Sequence, residues 1–187
     1  MNPLAFGLMG FDFAMWLTAF NLLGIGAASK PGDPSPTKTV GAAGSLAGAI
    51  TLLFAAIWFV VGQPFGKDAG AVHALFSSIT GMYGLLWIGV FAVQVFNFDW
   101  RPIANVCPLM ALIQAIQIIA VFYLLGTSSI HIWIVNAVLA SYLVVLIMFW
   151  RLLYGKLGAR PVGWWGILTV IGTIYLQFFG GGIFPTP

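Results

Sequence analysis

Apolar positions run along this chain in six long blocks, separated by short clusters of proline, glycine and charge. The blocks cover approximately Leu4 to Ala28, Val40 to Val61, Val72 to Phe98, Ile103 to Gly126, Ile130 to Tyr154, and Val162 to Phe179. A helix of about 20 apolar residues crosses a bilayer, and it satisfies its own backbone groups where there is no water. The pattern therefore predicts an all-α integral membrane fold, a single domain over residues 1–187 with six transmembrane helices. The third block carries the clearest internal register. Tyr83 and Trp87 stand four residues apart, and Val90 and Gln94 continue the same helix face at the seventh and eleventh positions.

The links between blocks are short. Ser29 to Lys38 holds three prolines, cannot be helical throughout and reads as an aqueous loop. Gly62 to Ala71 carries Lys67 and Asp68, Asp99-Trp100-Arg101-Pro102 forms a charged corner, Thr127 to Ser129 is uncharged, and the fifth link holds Arg151, Lys156 and Arg160. No basic stretch and small-residue cleavage site introduce Leu4 to Ala28, so it reads as a retained span and not as a cleaved signal. Gly41, Gly44 and Gly48 include a G-x-x-x-G spacing that lets helices approach closely in lipid, within the chain or between copies.

Composition strengthens the membrane reading. Of 187 residues, 61% are hydrophobic and only 6% charged, against roughly 25% charged in a soluble protein. The seven Lys and Arg are not spread evenly: six fall on the first, third and fifth links. Cytoplasmic loops hold the basic excess, which predicts that both termini face out of the cytoplasm. This distribution points to topology and to anionic headgroups, not to nucleic acid.

Catalytic chemistry finds little material. There is no Glu, and the single Cys107 excludes an intrachain disulfide or a cysteine metal cluster. No catalytic residue, metal site or cofactor is expected. His73 and His131 fall near the outer ends of spans, where a histidine is either structural or a sensor of mild acid. Asp12 is the one carboxylate well inside a block, and charge at that depth faces a cavity or a partner. Asp99 and Arg101 are expected to pair with each other or with a helix end. The uncharged polar groups Asn21, Gln94 and Gln114 can hydrogen-bond a passing neutral molecule or hold helices together.

The run from Gly81 to Pro102, ending F-N-F-D-W-R-P, resembles the third span and cytoplasmic corner of the bacterial urea channel and aliphatic amide transporter family. The resemblance continues through Gly155-Lys156 and Gly166-Ile167-Leu168-Thr169. It implies six-helix protomers assembled as a homohexamer, each with its own pore, and it aligns Tyr83 and Trp87 with pore-lining aromatics. Trp165 stands where that family would place a pore glutamate. The N-terminus, with Asn2-Pro3 and Gly7-Leu8-Met9-Gly10-Phe11, resembles instead the N-P-x-x-x-G-L-x-G-F signature of the acetate and succinate permease family. That second resemblance implies a hydrophobic constriction containing Phe11 and Tyr83.

The expected function is passage of a small polar neutral solute, such as urea or a short aliphatic amide, through a channel in a bacterial or archaeal inner membrane. Phe11, Tyr83 and Trp87 would form the constriction, with Asp12, Asn21, Gln94, Gln114 and Trp165 as polar lining. The alternative is an acetate or monocarboxylate channel or proton-coupled permease. A subunit that transports nothing itself is the third reading.

Overall fold

The computed structural model describes residues 3–26 and 35–180. Six long helices account for nearly all of them: α1 Pro3–Leu23, α2 Pro36–Gly62, α3 Gly70–Phe96, α4 Arg101–Leu125, α5 Ile130–Leu153 and α6 Ala159–Gly180. The described residues contain no strand. Helices α1 to α5 are long and apolar enough to cross a membrane. The outward side of α6 is also apolar, with Trp164, Leu168, Ile171 and Ile174 exposed.

Helix ends follow local chemistry. Proline opens α1 and α2 and sits in the first turn of α4, where its missing N–H has no helical acceptor to lose. At the far end of α1, Gly24 and Gly26 take φ of 73° and 70°, a left-handed backbone that glycine enters without steric cost. α1 therefore stops at Leu23, short of the predicted Ala28, because hydropathy does not register a turn made of apolar residues and glycine. Residues 27 and 28, like Lys30, lie outside the described residues. α2 starts inside the expected aqueous link, at Pro36, and has a π-helical segment at Val40–Ser45 before its main run. Asn97, at φ 58°, ends α3, and Arg101 already belongs to α4, so the charged corner is the second half of a four-residue link, Asn97 to Trp100, followed by a helix start.

Consecutive helices run antiparallel, and their packing closes a ring. α1 packs on α2 and α6, α2 on α3, α3 on α4, α4 on α5, and α5 on α6. This topology gathers Lys38, Arg101, Arg151, Lys156 and Arg160 at one end of the bundle, the basic end. Lys67, His73 and His131 lie at the other, the histidine end. Small residues draw α1, α2 and α6 together. A Cβ added to Gly48 would lie 2.8 Å from the Ala14 Cβ, and one on Gly163 would lie 2.9 Å from the Ala19 carbonyl oxygen. The glycine spacing in α2 thus serves contacts within the chain, Gly44 and Gly48 facing α1 and Gly41 facing Gln94 of α3.

Outward positions are apolar almost throughout: Ile50, Phe54 and Ile57 on α2, and Leu109, Leu112 and Ile116 on α4, are all exposed. In water such an area would drive association; against acyl chains it needs no cover.

Candidate functional site: an aromatic constriction on the bundle axis

Alternate helices supply the centre of the ring. α3 presents Tyr83 and Trp87 one turn apart, and both are buried. α1 presents Phe11, the residue after Gly10; a Cβ on Gly10 would fall within bonding distance of the Thr51 hydroxyl, so only glycine lets α1 lie this close to α2. α5 presents Tyr142, on a buried face that runs Val135, Leu139, Tyr142, Leu146.

The four rings meet. Phe11 sits 5.8 Å from Tyr83, 6.2 Å from Trp87 and 5.0 Å from Tyr142, centroid to centroid, and Tyr83 lies 5.4 Å from Tyr142. Most of these contacts are edge to face, the arrangement that ring quadrupoles favour. The hydroxyls are tied outward into the ring of helices: Tyr83 donates to Gln114 Oε1 of α4 at 3.0 Å, and Tyr142 bonds Thr173 of α6 at 2.7 Å. Each anchor fixes a ring by its polar tip and leaves its apolar face on the axis.

A cavity lies on each side of this cluster. The histidine-end cavity, about 60 Å³, is lined by residues such as Leu4, Leu8, Ile79 and Leu139. The basic-end cavity, also about 60 Å³, includes Met15, Thr18, Val90, Leu146 and Phe149 in its lining. Phe11 and Tyr83 line both, so these two side chains are the partition. No charged side chain lines either cavity. Two residues of the basic-end lining hold buried polar atoms with no hydrogen-bond partner, Thr18 Oγ1 and the Trp87 indole Nε1. Trp100 turns inward from the charged corner, packs edge-on against Phe149 at 5.9 Å, and helps close this cavity.

The structure brings Phe11 of α1 against both Tyr83 and Trp87 of α3. The polar residues expected to line the axis are placed differently: none of Asp12, Asn21, Gln94, Gln114 or Trp165 lines either central cavity. Asp12 is buried and accepts a hydrogen bond from Gln177 of α6. Gln94 accepts from Ser45 of α2 at 2.6 Å, Gln114 holds Tyr83, and Trp165 donates to the Ser141 carbonyl at 3.3 Å. Asn21 lines a groove between the end of α1 and the start of α2. Amides in a bilayer pair across helices where a partner is in reach, and here it is.

Sequence reasoning does not assign Tyr142, Thr173 or Trp100 to the constriction; Tyr142 reads there only as one of the intramembrane polar groups that can hydrogen-bond a solute or hold helices together. For Tyr142 a signal exists, since Val135, Leu139, Tyr142 and Leu146 follow the same seven-residue register as the third block. In a helix apolar on every side, nothing marks that register as the inward one.

The histidines stand apart from the constriction. His73 is buried; its Nε2 accepts from the Phe65 backbone N–H at 3.0 Å, and its ring stacks on Phe65 at 5.5 Å. His131 bonds the Tyr175 hydroxyl through Nδ1. At the basic end, Arg101 Nε donates to Asp99 Oδ2 at 2.8 Å, and that hydrogen bond holds the Asp99 carboxyl below the usual carboxylate range. Among the described residues, no group of three His, Cys, Asp or Glu side chains is placed to hold a metal ion. No protein-family model, curated protein or solved structure matches the chain.

Proposed function

We propose that the chain crosses a bacterial or archaeal inner membrane six times, termini out, and that its axis passes a small uncharged polar solute such as urea or a short aliphatic amide. The observation that carries this reading is the pair of cavities sharing Phe11 and Tyr83 as their partition at the centre of a closed helical ring. Helices packed only for stability fill their axis, and small voids are costly; two aligned voids with one aromatic wall are the parts of a gated path.

The lining argues for the solute class. A bare ion entering either cavity would exchange its hydration for hydrocarbon and rings, which costs far more than thermal energy. A neutral amide presents one carbonyl and one or two N–H groups. The Trp87 indole N–H suits the carbonyl, and the Thr18 hydroxyl suits the amide N–H. The methyl group of acetamide fits the remaining apolar wall better than the second nitrogen of urea does. Apolar lining also supports the second reading, a monocarboxylate permease, provided that the acid crosses in its protonated form, because no cation lines the axis to hold a carboxylate.

Stopped-flow light scattering on proteoliposomes tests the proposal. Rapid shrinking and reswelling with acetamide or urea is expected. Labelled acetate uptake that is abolished by a protonophore, without amide flux, transfers the assignment to the second reading. Flux of neither solute leaves a subunit that transports nothing itself. Assembly as a homohexamer, each copy with its own path, is the arrangement the resemblances imply, and the apolar outward faces leave room for it.

A further inference from the structure

Outside the axis, one cleft combines depth with unmatched charge. It lies at the basic end between α4 and α5, has a volume of about 240 Å³, and is lined by Asn105, Pro108, Trp150, Arg151, Tyr154 and Lys156. Tyr154 donates its hydroxyl proton to Asn105 Oδ1, which ties the two helices and leaves the Asn105 amide N–H groups as the donors this side chain still offers. Gly155, at φ 67°, turns the chain after α5 so that Lys156 N–H reaches back to the Arg151 carbonyl. That turn places both cations on one rim.

Among the described residues, no acidic side chain pairs with either cation. The ion pair among the described residues is Asp99 with Arg101, and no acidic side chain lines the cleft. Above the polar rim, toward the middle of the bundle, the same two helix faces become apolar. Asn105 is followed along α4 by exposed Leu109, Leu112 and Ile116, and Tyr154 is preceded along α5 by exposed Trp150 and Ile147. These positions repeat at three and four residues, so each set forms one stripe. Trp and Tyr collect at the depth where hydrocarbon meets headgroups, which is where this stripe changes character.

We propose that the α4–α5 cleft is a binding site for an anionic glycerophospholipid, with its phosphodiester held by Arg151 and Lys156 and its acyl chains laid along the two apolar stripes. Charge complementarity selects the headgroup, and the continuous apolar stripes select a lipid over a soluble anion. The inference needs the bundle to lie in a bilayer but does not depend on which solute crosses it.

Native mass spectrometry on the purified full chain tests it, with phosphatidylglycerol, phosphatidylcholine and inorganic phosphate as probes. One phosphatidylglycerol should be retained about 30-fold more tightly than phosphatidylcholine, as two cations near an anionic surface imply. Arg151→Gln with Lys156→Gln should abolish that preference, while Lys67→Gln at the opposite end should leave it intact. Both cations are exposed, so the double variant removes charge without opening the core; its unchanged flux and melting temperature would check this. Equal retention of the two lipids, or a preference that survives the double variant, overturns the proposal. So does displacement of the lipid by millimolar phosphate, which would make the cleft a site for a soluble anion.

Discussion

Phe11→Ala is the sharpest perturbation of the constriction. The ring is almost wholly buried, at 2% exposure, and it touches Tyr83, Trp87 and Tyr142 while lining both cavities. If a solute passes only when this ring swings off its neighbours, the work done includes three aromatic contacts of about 0.5–1.5 kcal/mol each. The middle of that range gives a barrier contribution of about 3 kcal/mol, and each 1.36 kcal/mol is tenfold in rate. Truncation should therefore raise acetamide flux by on the order of 100-fold and admit larger solutes such as glycerol. Removing a buried phenyl ring also destabilises, by about 3–5 kcal/mol in well-packed cores. The voids of about 60 Å³ on either side mean that less packing is lost here. Stopped-flow permeability at matched protein content is the assay, with Phe11→Leu as a milder variant if the alanine form fails to assemble. An assembled variant whose flux and solute cut-off are both those of the wild type would show that the rings only pack, and the gated-path argument would fall with them.

Other predictions follow from single contacts. Tyr83→Phe leaves the buried Gln114 amide without its donor, so the melting temperature in detergent should fall, consistent with about 1–3 kcal/mol for an unsatisfied buried polar group; an unchanged melt would deny the hydrogen bond. Gly48→Val must push α1 from α2, since even a Cβ lies 2.8 Å from Ala14, and should lower stability more than Gly70→Val, whose Cβ would meet no atom within 4 Å. His73→Gln keeps an acceptor in reach of the Phe65 N–H, whereas His73→Leu does not, so the melting temperature should fall more in the second; neither side chain takes up a proton, so any acid response of flux between pH 5 and 8 that belongs to His73 should be lost in both. A flat wild-type profile would remove His73 as a sensor. Because the Asp99 carboxyl is held below its ordinary value, its contribution is present above about pH 4 and is lost as pH falls through the folded-state value. Asp99→Asn should thus lower the melting temperature slightly at neutral pH and not at all in strong acid, and added salt should shrink the difference, since both partners are exposed.

Much of the fold was legible because the bilayer admits so few solutions. Once a chain is too apolar for water, block length and the need to satisfy every backbone group leave helices, and all six predicted blocks correspond to α1 to α6. What escaped was set by single residues. The left-handed turn at Gly24 and Gly26 ends α1 although the residues around it remain apolar, and Pro36 begins α2 inside a stretch that reads as loop by composition. Neither event changes hydropathy, so a window over the chain passes across both. The charged corner was located correctly but divided differently, because Asn97 can take the left-handed φ that ends α3 while Arg101 can enter a helix.

The site separated into a legible half and a hidden half for a related reason. Tyr83 and Trp87 share a face by spacing alone, whereas Phe11 was set beside them only through the resemblance of the N-terminus to a permease signature. The polar residues misled, because in a protein of water-soluble type a buried amide facing a cavity and one facing a neighbouring helix differ in solvation, whereas in a bilayer both are equally dry. Gln94 and Gln114 resolve that ambiguity toward the neighbour, through Ser45 and Tyr83. Gln114 then acts on the axis at one remove, as the group that aims the Tyr83 ring. The same logic gives Tyr142 its place: Thr173 holds its hydroxyl, its ring completes the wall, and a phenylalanine there would keep the wall while freeing it to turn. Tyr142→Phe should therefore leave the size cut-off unchanged and raise flux modestly, and a variant that admits larger solutes without flowing faster would contradict this division between ring and hydroxyl.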